Sequence, residues 1–161
     1  MDPNAVVEVF RRTVTEHYVD FQGRCARRDF WYFVVGYVVL YIGVAIVQSI
    51  ILSSALLTGL LSLAMLLPGL GIAVRRLHDI DRSGWWILIG VVPGFLAILS
   101  TAIALMSGSI GLGFGLMGLV GLVGLAAAVL LIYWYAQPGT AGDNQFGPPP
   151  TFMSTGTAAH A

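Results

Sequence analysis

Every basic residue in this chain of 161 is an arginine, and the eight arginines occupy only alternate gaps between its long apolar stretches. Arg11, Arg12, Arg24, Arg27 and Arg28 precede the first stretch, Arg75, Arg76 and Arg82 stand between the second and third, and the other connections hold none. Basic loops stay on the cytoplasmic side of a bilayer, because carrying guanidinium groups across hydrocarbon is costly. The pattern therefore implies an even number of crossings between the two charged gaps, with both termini cytoplasmic. With 57% hydrophobic and 10% charged residues and a mean hydropathy of +0.84, the chain lies outside the range of soluble domains and reads as an all-α membrane protein.

Residues 31–74 form an apolar block of 44, too long for one crossing when about 20 residues span the hydrocarbon. The block must fold back, and Ser53 and Ser54 mark the expected reversal, giving spans near 31–52 and 55–74. Residues 85–135 repeat the arrangement around Ser107, Gly108 and Ser109, with spans near 85–106 and 110–135. The expected membrane domain, 31–136, is four transmembrane helices in two hairpins. Pro68-Gly69 and Pro93-Gly94 are expected to interrupt the second and third spans, as in ordinary kinked packing or in a widened cytoplasmic half.

Residues 1–30 read as a cytoplasmic amphipathic helix followed by an Arg-rich segment. Asp2, Pro3 and Asn4 signal a helix start, and Val6, Val9, Phe10, Thr13, His17 and Phe21 fall near one stripe. Glu8 and Glu16 make packing on the protein's own cytoplasmic face as good a reading as adsorption to anionic lipid. Residues 137–161 read as a cytoplasmic tail, expected to be disordered from about residue 148, where a proline run begins.

The run Arg75-Arg76-Leu77-His78-Asp79-Ile80-Asp81-Arg82-Ser83-Gly84-Trp85-Trp86 carries most of the chain's chemistry. Arginine's planar fork pairs with carboxylate and phosphate alike, which leaves two readings. Asp29, Asp79, Asp81 and Asn144 would tie the arginines into an ion-paired structural collar. Alternatively, Arg24, Arg27, Arg28, Arg75, Arg76, His78, Arg82, Trp85 and Trp86 would hold lipid phosphate. All four tryptophans, Trp31, Trp85, Trp86 and Trp134, stand at the cytoplasmic ends of the expected spans, as interfacial anchors do.

His78 beside Asp79 invites a catalytic or metal reading, but His17 and His160 are the only other histidines and Cys25 the only cysteine. No set of metal ligands is complete, and no metal or cofactor is expected. The absence of ionisable residues within the expected spans argues against a proton-coupled pump. Neutral formal charge argues against nucleic acid as a partner. Gly111, Gly115, Gly118, Gly121 and Gly124 form a smooth face suited to close helix packing, within the protein or between copies.

Three motifs in order, Phe21-x-Gly23-Arg24-x-x-Arg27-Arg28-Asp29-Phe30-Trp31, Arg75-Arg76-Leu77-His78-Asp79-x-x-Arg82-Ser83-Gly84-Trp85-Trp86 and Gly139-x-x-Gly142-x-Asn144-x-Phe146-Gly147, separated by paired apolar spans, resemble the domain of unknown function 805 family. The resemblance covers about residues 21–148. It implies a bacterial inner-membrane protein, with no functional residues to carry over. Asp29 stands where that family usually has glutamate, and Phe146 where it usually has tyrosine. The resemblance also implies that Gly139–Gly147 returns to the cytoplasmic collar.

The function expected from these features is non-enzymatic binding of anionic phospholipid headgroups, or of a partner protein, through the Arg/Asp/Trp collar. The protein would be an inner-membrane component, in one reading a homo-oligomer. The alternatives are a small oligomeric channel or transporter and a lipid-modifying enzyme using His78 and Asp79.

Overall fold

A computed structural model describes residues 2–51, 56–108 and 110–151. Six α-helices cover most of them: α1 (Pro3–Thr15), α2 (Arg27–Ile51), α3 (Leu56–Ala64), α4 (Leu66–Asp79), α5 (Leu88–Ser107) and α6 (Ile110–Ala136), with a 3-10 turn at Gly84–Ile87 before α5. The chain divides into two compact units, Met1–Gly84 with Pro138–Ala161, and Trp85–Gln137. Among the described residues three helices are long and apolar enough to cross a membrane, Arg27–Ile51, Gly84–Met106 and Phe114–Ala136. A fourth is added if α3 and α4, which meet at 42°, count as one bent span. The reversal expected at Ser53 and Ser54 lies outside the described residues, as do Ser109 of the second reversal and the tail from 152 onward. Gly108 caps α5 in the left-handed conformation, φ +63°.

In the first unit, α1 begins where Asp2 Oδ1 accepts the Asn4 amide at 2.9 Å, and Pro3 occupies the first turn, where no N–H is needed. Ala5, Val9 and Thr13 form its buried stripe. Burying a side chain such as Val9 contributes roughly 1.5–3 kcal/mol. Thr13 tolerates burial because its hydroxyl donates back to the Val9 carbonyl at 2.8 Å. Phe10 stacks on Phe33 of α2, centroids 5.5 Å apart. That close approach requires glycine at 36, since a Cβ there would stand 2.9 Å from Phe10 Cδ2. The helix ends at Thr15 with Glu16 as its cap, so His17 and Phe21, expected on the same stripe, lie beyond it. His17 Nδ1 pairs instead with Asp20 Oδ2 at 2.8 Å.

Gln48, the most polar side chain in the apolar part of α2, is satisfied across to α3. Its Oε1 accepts the Thr58 amide at 2.9 Å, and its Nε2 donates to Thr58 Oγ1 at 3.3 Å. In hydrocarbon such groups have no water to turn to. The expected break at Pro68-Gly69 is found one turn earlier, at Met65 between α3 and α4. Proline has no N–H for the carbonyl four residues back and its ring crowds that carbonyl, so the ladder opens at Ala64. Tyr18 fills the gap, its hydroxyl donating to the Ala64 carbonyl at 2.6 Å.

The second unit pairs α5 with α6. Pro93, expected to interrupt its span, sits inside an unbroken α5. A Cβ on Gly124 of α6 would stand 3.4 Å from the Pro93 ring, ordinary contact. Trp86 meets Trp134 edge to face, 5.4 Å between centroids. Of the expected packing face only Gly124 has such a neighbour among the described residues. A Cβ at Gly111, Gly115, Gly118 or Gly121 would meet nothing within 4 Å.

Removing the Tyr18 hydroxyl by Tyr18→Phe takes away the donor to the Ala64 carbonyl and is expected to cost about 0.5–1.5 kcal/mol of unfolding free energy. In a Pro68→Ala background the residue at 68 regains an N–H that can close the ladder. The cost of Tyr18→Phe should then largely vanish, and a double-mutant cycle of denaturant unfolding in detergent reads this directly.

Candidate functional site

The chemistry-bearing residues of the first unit gather at the C-terminal end of α4. Asp79, its last residue, has a side chain 4% exposed. A carboxylate so deep needs cationic partners, and two arginines supply them. Arg24 donates through Nε to Asp79 Oδ1 at 3.0 Å, and Arg76, one turn back on the same helix, pairs with Oδ2. The Arg76 side chain is fully buried.

Arg24 has donors to spare, and they go to the segment that follows α6. Nη2 donates to the Thr140 carbonyl at 2.7 Å, and Nη1 donates to those of Gly142 at 2.7 Å and Gly147 at 3.3 Å. The end of α4 meets the same segment: the Asp79 carbonyl accepts the Thr140 amide at 2.8 Å and its hydroxyl at 3.1 Å. Asn144 Nδ2 donates to the His78 carbonyl at 2.8 Å and to Thr140 Oγ1 at 2.9 Å. Gly139 is obligatory here, because a Cβ at that position would overlap the Asp79 carboxylate. Residues 139–147 are thus a strap drawn over the helix end by one carboxylate, one guanidinium and one carboxamide.

His78 and Asp79 face different ways. His78 Nδ1 donates to the Gly23 carbonyl at 3.1 Å, and its ring lies parallel to Phe146, with centroids 3.9 Å apart. A benzyl ring suffices for that stack, so the family's usual tyrosine hydroxyl is not needed for it. The helix then closes with paired reverse bonds, Arg82 N to Leu77 O at 2.9 Å and Asp81 N to His78 O at 3.0 Å. Asp81 holds the left-handed position, φ +58°. It is an exposed turn residue rather than a collar carboxylate.

Arg75 is also buried. Its Nη1 is 3.7 Å from Asp20 Oδ2, its carbonyl accepts the Cys25 amide at 3.0 Å, and its Nε and Nη2 have no hydrogen-bond partner among the described residues. Burial works against the Asp20 charge, but the Gln22 amide, the His17 ring and the Arg75 charge together hold its carboxyl below the usual aspartate value. Its contribution to stability is therefore present above about pH 4 and lost as pH falls through the lower folded value. Cys25 lies enclosed beside this cluster. Burial pushes its thiol up to about 12 against the opposing pull of Arg75, so it is neutral and unreactive at physiological pH. Asp29 is buried as well.

The remaining cations are at the surface. Arg27 and Arg28 are exposed and Arg82 is half-buried. Arg28 lies over the Tyr32 ring, 5.8 Å from its centroid. Trp85, in the second unit, is 77% exposed, and Trp86 is exposed too. The nine arginine, histidine and tryptophan candidates for phosphate binding thus separate by burial: Arg24, Arg75 and Arg76 are internal, His78 and Arg82 half-buried, and Arg27, Arg28, Trp85 and Trp86 exposed. Thr140, Asp20 and Tyr18 went unremarked in the sequence, and only the glycines around Thr140 hinted that backbone approaches closely there.

The DUF805 profile, described as a protein of unknown function, matches residues 18–148, from the approach to the arginine cluster to the end of the strap. The chain belongs to the DUF805 family. Inner membrane protein YhaI of Escherichia coli strain K12 is 32% identical over 143 residues, covering 88% of this chain and 95% of that one. Inner membrane protein YhaH of the same organism is 26% identical over 142 residues, covering 85% and 92%. The uncharacterized protein YiiR, also from that organism, is 29% identical over 143 residues, covering 84% and 88%. No solved structure matches. The DUF805 match takes in every residue of the Asp79 cluster and its strap.

Replacing Asp79 by Asn strands two buried guanidinium groups and is expected to cost about 3–5 kcal/mol, read as a lowered unfolding midpoint in detergent. Asp81→Gly should act in the opposite direction. It removes a left-handed strain of about 1 kcal/mol and raises the same midpoint.

Proposed function

We propose that this is a bacterial inner-membrane protein of four transmembrane helices in two hairpins, with α3 and α4 together forming the second span. Both termini are cytoplasmic, in keeping with the all-arginine gaps, and the inner-membrane location is in keeping with the names of its Escherichia coli relatives. It carries out no chemistry of its own. It binds anionic phospholipid headgroups through Arg27 and Arg28, with Trp85 and Trp86 as interfacial anchors. The observation that carries this reading is the separation by burial. Arg24 and Arg76 are spent on Asp79 and the strap, and Arg75 is enclosed, whereas Arg27 and Arg28 stand exposed where α2 leaves the cytoplasmic side.

The channel alternative has one observation behind it. A cleft of about 260 Å³ between α2 and the bend at Met65 is lined by Tyr37 and Ser62 among apolar residues. Its size and apolar walls favour packing adjustment over a water path. The enzyme alternative is weaker, since the His78 ring is stacked on Phe146 and the Asp79 carboxylate is enclosed by two arginines.

Native mass spectrometry after gentle extraction tests the headgroup reading. At about 1 kcal/mol for each arginine near an anionic surface, Arg27→Gln with Arg28→Gln should weaken retention of phosphatidylglycerol roughly thirty-fold. Retention equal to wild type in the folded double variant would exclude these arginines as the headgroup site.

A further inference from the structure

The first unit contains a cleft of about 540 Å³ between α1 and α2. Pro3, Val7 and Phe10 wall it on one side and Val35, Gly36 and Val39 on the other, and no charged or polar side chain lines it. Phe10 touches Gly36 and fixes the two helices together there, while Val7 and Val39 are each 66% exposed along the open part.

Depth within the bilayer restricts what can fill this cleft. Val35 and Val39 lie seven and eleven residues into α2 from Arg28, about 10 and 16 Å along the axis. The headgroup layer accounts for only about 5–8 Å on each side of the hydrocarbon. The α2 wall therefore reaches the upper acyl layer when α2 spans the membrane, while the exposed Glu8–Arg11 pair keeps the outer face of α1 at the headgroup boundary, and a volume of this size and polarity there suits the upper part of an alkyl chain. Direction matters as well as depth. At about 100° per residue, Val35 and Val39 both fall within about 20° of Arg28 around the helix. A guanidinium and an apolar cleft on one face, separated by the distance between a phosphate and the upper part of its acyl chain, complement one phospholipid molecule.

We propose that the α1–α2 cleft binds one acyl chain of an anionic phospholipid whose phosphate is held at Arg28. The assignment rests on the headgroup reading above and adds the site, its register and the part played by α1. That helix forms one wall of a lipid site, held in place by Phe10 against Phe33 and Gly36. Tyr32, between Arg28 and the cleft on the same stripe, keeps the guanidinium oriented through its ring and a hydroxyl contact of 3.5 Å.

The test is photolabelling of the full-length protein in nanodiscs with phosphatidylglycerol bearing a diazirine midway along one acyl chain, followed by peptide mapping. Labelling is expected to concentrate on Val7, Val35 and Val39. Val39→Trp fills the cleft and should remove most of the α1 labelling, and Val7→Trp should do the same from the opposite wall. Val38→Trp, about 100° away around α2, should not. Arg28→Gln should lower labelling by the phosphatidylglycerol probe about five-fold without changing labelling by a phosphatidylethanolamine probe. The cleft assignment is overturned if both tryptophan variants leave α1 labelling unchanged, or if the wild-type α1 takes up no label at all. If Arg28→Gln nevertheless loses phosphatidylglycerol, the headgroup reading survives that failure. If the tryptophans abolish labelling by both probes and Arg28→Gln alters neither, a chain occupies the cleft, but its headgroup is not held at Arg28 and the proposal fails at that end.

Discussion

The first unit depends on the Asp79 carboxylate, placed at the last residue of α4 and enclosed by Arg24 and Arg76. Such a triad is costly to bury, and its net contribution to stability is small compared with the damage done by breaking it. What it provides is position. Arg24 has more donors than Asp79 can use, and its remaining N–H groups reach three carbonyls in 139–147. A residue ahead of the first span thereby fixes a segment that follows the last one. The end of α4 adds the Asp79 carbonyl, which takes the Thr140 amide, and the His78 carbonyl, which takes the Asn144 carboxamide.

The helix pattern, the alternation of charge and the importance of the Arg75–Trp86 run are all legible in the sequence, because periodicity, hydropathy and charge placement are local properties. Asn144 was also visible as a candidate bridge, through its place in a Gly-rich motif. What sequence could not reveal was which arginine of each cluster turns inward. Arg75 and Arg76 look equivalent to Arg27 and Arg28 in one dimension, yet the first pair is enclosed and the second exposed. That difference arises because residues 17–25 run alongside α4 and cover it. The covering depends on contacts between residues about 50 positions apart, such as Tyr18 with Ala64 and Gly23 with His78.

The two prolines illustrate the same limit. Pro68 and Pro93 have identical local sequence, Pro-Gly within an apolar run, and the same physical effect was expected of both. Only Pro68 coincides with a break between helices, and there Tyr18 is available to take up the freed carbonyl. Pro93 remains inside α5 against the smooth surface of Gly124. Likewise, the five glycines of α6 form a stripe by spacing alone, but only Gly124 has a close neighbour within its unit. Spacing shows that a helix can be approached closely, not that anything does so.

The single cysteine provides the most direct test that this cluster is an enclosed brace. Cys25 lies beside Arg75 and Asp29 with its thiol buried and neutral. Maleimide labelling in native membranes should leave Cys25 unmodified in the wild type and modify it rapidly in Asp79→Asn or Arg24→Gln, where the enclosure opens. Wild-type labelling as fast as that of the denatured protein would contradict the account, because it would mean that the arginines and Asp79 stand open to solvent.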